Sequence, residues 1–113
     1  MNKGIKTIIY PVQDLAAAKA LYGSLLGVKP YMDEAWYVGY RVGDQEIGLD
    51  PNAGAQGLTM PVGYHQVDDI QARLKSLVAG GAQVLQDTRD VGGGKLIATA
   101  RDADGNIIGL IQK

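Results

Sequence analysis

Two short stretches of this chain occur twice, in the same order. Val12-Gln13-Asp14-Leu15 lines up with Val67-Asp68-Asp69-Ile70, and Ile47-Gly48-Leu49 with Ile108-Gly109-Leu110. One such match is weak evidence, but two at corresponding element boundaries argue for a duplicated unit. At 113 residues the chain suits one domain and is too short for two independent cores, so the copies must share a single interior. The expected organisation is one domain over residues 1–113, with module one over about 1–51, a connector over about 52–59 and module two over about 60–113.

The local patterns agree with duplication. Ile5 to Val12 is rich in β-branched and aromatic residues and ends near Pro11, which cannot donate to a ladder. A helix follows, capped by Asp14, with Leu15, Ala18, Leu21, Tyr22, Leu25 and Leu26 at three- and four-residue intervals until Gly27. Extended stretches come next at Val28 to Met32, Trp36 to Val42 and Glu46 to Asp50. Asn52 to Leu58 has no periodicity and reads as a connector. The order then restarts: a strand at Pro61 to Val67, a helix capped by Asp69 and running into Gly80-Gly81, and strands near Gln83 to Gln86, Lys95 to Arg101 and Ile107 to Gln112. Each half reads βαβββ, an α+β architecture.

Composition narrows the function. Eleven basic residues oppose twelve acidic ones without a basic cluster, so nucleic acid is not an expected partner. The absence of cysteine rules out disulfides, thiolate metal sites and thiol catalysis. No apolar run reaches membrane-spanning length, and residues 1–6 lack the apolar stretch of a signal peptide, so no membrane partner and a cytoplasmic location are expected.

Val12-Gln13-Asp14-Leu15, Leu21-Tyr22 and Leu26-Gly27 together resemble the opening of a module of the glyoxalase, bleomycin-resistance and extradiol-dioxygenase type, the vicinal oxygen chelate superfamily. Asp102-Ala103-Asp104-Gly105-Asn106-Ile107-Ile108 resembles that family's closing hairpin, with Ala103 where the usual form has Pro. The resemblance covers almost the whole chain. It implies two βαβββ modules forming a curved mixed sheet around a cavity, helices outside, and a homodimer.

The family's metal ligands come from the first and last strands of each module. At the places where a His or Gln is usual the chain has Thr7 and Val62, and where a Glu is usual it has Gly48 and Gly109. A divalent ion needs three or four His, carboxylate or amide ligands, which these residues do not supply. The expectation is therefore no metal and no cofactor, and a hollow at the two glycines that an organic ligand fills.

Strand alternation, oriented by the resemblance, turns Thr7 and Ile9 to the cavity and Ile8, Tyr10 and Val12 to the helix. In module two it turns Val62, Tyr64 and Gln66 to the cavity and the lone His65 away from it, so His65 reads as a packed side chain sooner than as a base. Trp36, Tyr37 and Tyr40 are open to two readings, core or a stacking wall for a planar ligand. Glu46 and Asp50 share the parity of Gly48, with Thr99 and Arg101 their counterparts; each charge reads either as a solvated edge or as a polar handle. The candidate ligand-binding set is Thr7, Trp36, Tyr40, Glu46, Gly48, Asp50, Val62, Tyr64, Thr99, Arg101 and Gly109, with no catalytic residue assigned.

Two motifs fail on inspection. Gly92-Gly93-Gly94-Lys95 lacks the Ser or Thr of a phosphate loop and leads into a strand, and Asp102 to Asn106 has its Gly too early for a calcium loop and no closing Glu. The expected function is metal-independent binding of an aromatic or drug-like small molecule, similar to the drug-sequestering antibiotic-resistance proteins of the family. The alternative is a glyoxalase-like lyase, isomerase or dioxygenase whose metal is displaced or absent.

Overall fold

Both helices start at an aspartate. The computed structural model describes residues 2–113. In it Asp14 and Asp69 hold extended backbones, and their carboxylates accept from the N–H of Ala17 (3.0 Å) and of Ala72 (3.1 Å). Each satisfies one of the donors that a helix leaves unpaired at its first turn. Helix α1 runs Leu15–Leu26 and ends at Gly27, whose N–H reaches the Gly23 carbonyl and whose left-handed φ of 70° turns the following chain out of the helix. Helix α2 runs Ile70–Ala79. Asp14→Ala and Asp69→Ala are each expected to lower stability by about 1 kcal/mol in urea unfolding, with the midpoint shifted and the slope unchanged.

The strands are β1 (Asn2–Pro11), β2 (Met32–Glu34), β3 (Tyr37–Val42), β4 (Gln45–Asp50), β5 (Val62–Val67), β6 (Gln83–Asp90), β7 (Leu96–Arg101) and β8 (Ile107–Gln112). With the two helices they make an α+β protein of two βαβββ modules. In the first module β1 lies parallel to β4, β4 antiparallel to β3, and β3 antiparallel to β2. The second repeats this, with β5 parallel to β8, β8 antiparallel to β7 and β7 antiparallel to β6. Each set is therefore mixed. The repeated Ile-Gly-Leu motif falls at the same place in both: Gly48 sits between Ile9 and Gly39, and Gly109 between Tyr64 and Thr99.

The chain divides into two compact units, Lys6–Val62 as one and Gly63–Lys113 with the first few residues as the other. In the first, Val38, Tyr40 and Leu49 are buried against Tyr10, Val12, Leu15, Ala18, Tyr22 and Leu26. In the second, Val67, Ile70, Leu74, Ala98, Ala100 and Leu110 form the core. Two of the expected strands differ substantially in the structure. The stretch Val28 to Met32 is not a strand; Pro30 has no N–H to offer, and pairing is delayed until Met32, with only the Tyr31 N–H reaching the Gly39 carbonyl (2.9 Å) beforehand. Strand β6 continues to Asp90, past register breaks at Val84/Gln86 and Gln86/Arg89 that scramble the alternation on which the shorter reading relied. The connector is anchored by Ala53 and Leu58, both buried and joined by a 3.0 Å backbone hydrogen bond. Among the described residues no helix is long and apolar enough to cross a membrane.

Candidate functional site

Which face each side chain takes in the first module follows from pleating. Val38, Tyr40, Ile47 and Leu49 pack toward α1, so Tyr37, Gly39, Arg41, Glu46, Gly48 and Asp50 take the opposite face. Tyr40 therefore leaves the candidate ligand set. It is fully buried, and its hydroxyl donates to the Lys19 carbonyl of α1 at 2.9 Å. Its parity, unlike that of Glu46, places it among the core residues.

Glu46 organises the opposite face. The hydroxyls of Tyr31 and Tyr37 both donate to its Oε2, at 2.5 and 2.8 Å. Burial, reinforced by the nearby carboxylate, raises the pKa of both phenols above the ordinary value, so both stay neutral donors at physiological pH. Arg41, opposite Glu46 across the strands, places its guanidinium 4.0 Å from the centroid of the Tyr31 ring. Trp36, in the β2–β3 turn, is 58% exposed and stacks on Tyr37 with centroids 6.2 Å apart.

The tyrosines rest on glycines. A methyl group on Gly39 would come within 2.9 Å of Tyr31 Cε1 and 3.0 Å of Tyr37 Cε2; one on Gly48 would overlap the Tyr37 hydroxyl and meet Ile9 Cδ1 at 2.6 Å. In the second module a methyl on Gly109 would lie 2.6 Å from Tyr64 Cδ1 and 2.9 Å from the Gly63 carbonyl oxygen. This corrects the expectation of a hollow at Gly48 and Gly109, because the chain's own aromatic rings fill both places. An aromatic ring covering a cross-strand glycine is a recurrent device in sheets, and the pairing of Tyr64 with Gly109 was visible once the register was known.

The same residues test the fit of a metal. The positions that the family resemblance assigns to metal ligands hold Thr7, Val62, Gly48 and Gly109, and the space beside Gly48 is taken by a phenol. Among the described residues no group of three or more His, Asp or Glu side chains is placed to hold an ion. The donor set does not fit a divalent cation.

The remaining candidates separate by module. Thr7 is 4% exposed, and its Oγ1 has no hydrogen-bond partner among the described residues. Asp50 accepts from the Asn52 N–H at 2.8 Å. Val62, Tyr64 and Thr99 are buried, Thr99 with its hydroxyl 3.4 Å from Gln86 Oε1, while Arg101 is exposed at the end of β7. The structure thus brings Trp36, Glu46, Gly48 and Asp50 onto one face of the first module, with Tyr64, Thr99 and Gly109 in one row of the second. Sequence reasoning missed Tyr31 and Arg41. Tyr31 falls in the expected strand that does not form, and Arg41 reaches the site only through its ring contact. His65 lies with Nδ1 3.0 Å from Asn2 Nδ2. The Asp102 carboxylate is filled by the backbone N–H groups of Asp104 and Asn106 and by the Asn106 side chain, which leaves it a turn.

Known structures share this fold. A hypothetical protein of Bacillus halodurans superposes with a TM-score of 0.76 at 17% identity, covering 99% of this chain and 94% of that one. Methylmalonyl-CoA epimerase of Mycobacterium tuberculosis gives 0.70 at 19% identity over 98% and 88%. The Mn(II)-bound glyoxalase of Novosphingobium aromaticivorans gives 0.72 at 18% identity, over 99% of this chain and 40% of that one. No curated protein matches the sequence. A family model, that of the Glyoxalase/Bleomycin resistance protein/Dioxygenase superfamily, matches residues 4–110. With that match spanning nearly the whole chain, and the duplicated βαβββ order behind it, the protein belongs to the Glyoxalase/Bleomycin resistance protein/Dioxygenase superfamily.

Proposed function

We propose that the protein binds a small organic molecule without a metal, and that the aromatic face of its first module is the contact surface. The observation that carries this reading is the Tyr31–Glu46–Tyr37 group. Two neutral phenols donate to one carboxylate oxygen, and the Tyr37 hydroxyl takes the space beside Gly48, a position with no side chain to hold a metal. Aromatic rings give a flat ligand large contact area at small entropic cost, and a few fixed polar groups orient it. Trp36, exposed and stacked on Tyr37, adds an edge for that contact. An aromatic or drug-like ligand matches these features better than the enzymatic alternative, which lacks a ligand set for Lewis-acid chemistry.

Two measurements test this together. Titration with Mn(II), Zn(II), Ni(II) and Fe(II) is expected to give no stoichiometric binding, whereas aromatic compounds are expected to quench the emission of Trp36, the single tryptophan. One tight metal equivalent would sink the metal-independent reading. An unchanged spectrum across a broad aromatic panel would remove Trp36 and its neighbours from the contact surface.

A further inference from the structure

We propose that Glu46 anchors a cationic group, so that the ligand of the first module is an amine carried on an aromatic or apolar body. This rests on the binding reading above and adds the chemical class. Glu46 is partly buried, and both of its carboxylate's hydrogen bonds, from Tyr31 and Tyr37, end on Oε2. Oε1 receives no hydrogen bond from the described residues. The ion pairs among those residues are Lys3–Asp68, Lys6–Asp44 and Lys19–Asp33, and none involves Glu46. Arg41, its nearest cross-strand cation, is instead engaged with the ring of Tyr31.

A partly desolvated carboxylate held only by neutral donors gains most from an added cation. Asp50, two residues along the same face, contributes a second negative charge close enough to Tyr37 to help raise its pKa.

Thr7 supplies an independent sign of an incomplete site. Its Cα pairs with that of Glu46, it is 4% exposed, and its hydroxyl is unpartnered. Ile9, two residues on, reaches the space beside Gly48, which puts Thr7 on the Glu46 face by alternation. A buried hydroxyl without a partner is costly, and a hydrogen-bond donor entering beside Glu46 would relieve it. The body of such a ligand meets Trp36 and Tyr37. An anionic ligand meets two carboxylates.

The test is calorimetric titration with 2-phenylethylamine, 2-phenylethanol and 3-phenylpropanoate, which share a ring and differ in charge. On the unaltered protein the amine is expected to bind about tenfold more tightly than the alcohol, the gain usual for a charge-assisted hydrogen bond, and the carboxylate most weakly. Glu46→Gln, which keeps an acceptor for the tyrosines, is expected to bring the amine down to the level of the alcohol. Equal or reversed preference on the unaltered protein overturns the cation assignment and leaves small-molecule binding intact, whether or not the variant folds. Undiminished amine binding by a folded Glu46→Gln protein overturns it as well. No binding by any of the three, with no response to a wider aromatic panel, overturns both readings.

Discussion

Tyr40→Ala is expected to lower the stability of the protein by about 3–5 kcal/mol, and Tyr40→Phe by about 1 kcal/mol, measured by urea unfolding. The ring is fully buried among Val38, Leu49 and the inner side of α1, so truncation leaves a large cavity in that core. The hydroxyl has a single described task, its 2.9 Å hydrogen bond to the Lys19 carbonyl. Phenylalanine removes that bond and little else. For a domain whose whole stability is about 5–15 kcal/mol, the alanine variant is expected to lose a large share of its stability and to unfold at a clearly lower urea concentration. A Tyr40 that lined a ligand site would behave in the opposite way, with stability kept in Tyr40→Phe and affinity lost. Stability and affinity measured on the same variant separate the two roles.

Gly109→Ala is expected to cost about 2–3 kcal/mol, the upper part of the range for overpacking, and Gly48→Ala clearly less. The two glycines stand at equivalent places in the duplicated modules, yet their surroundings yield differently. Beside Gly48 the crowding atoms are the Tyr37 hydroxyl and the Ile9 Cδ1, both at the free ends of side chains that can swing aside. Beside Gly109 they are Tyr64 Cγ at 2.8 Å, near the root of its ring, and the Gly63 carbonyl oxygen at 2.9 Å. Those atoms cannot move without disturbing the pairing of β5 with β8. Thermal melts of the two variants side by side provide the comparison, and equal losses would show that Tyr37 is as fixed as Tyr64. Because Tyr37 is a ligand contact in the proposed function, Gly48→Ala is also the variant expected to alter binding.

Much of the fold was legible because its signals are local. Asp14, Gly27 and Asp69 mark helix ends through hydrogen bonds that span three or four residues, and the structure places all three as the sequence suggests. Strand β8 matches its expected bounds because the Asp104-Gly105 turn precedes it and its apolar run ends at Gln112. Where the reading failed, the cause lay outside the segment. The long β6 depends on its partner β7 through two register breaks, and periodicity within β6 does not reveal them.

The site was harder to read for the same reason. Identifying Glu46 and Gly48 as residues of one face needed only their two-residue spacing. What surrounds them did not follow from spacing, since Tyr31 and Tyr37 come from outside β4 and meet at one oxygen. The glycines read as empty space in the sequence because a sequence shows what a position lacks and not what its neighbours lay across it. Tyr40 was misplaced by a related ambiguity, because Tyr37, Val38 and Tyr40 give β3 apolar residues of both parities. Only the packing of α1 resolves which of them is core.

In each half the first strand lies parallel to the last, β1 with β4 and β5 with β8. Parallel neighbours cannot be joined by a tight turn, so the pairing of each opening strand with the final one waits until the intervening elements have been traversed, and the entropy of closing the loop is spent before those contacts form. Duplication divides that kinetic burden into two closures, each across less than half of the chain. The first can be completed while the ribosome is still adding the second.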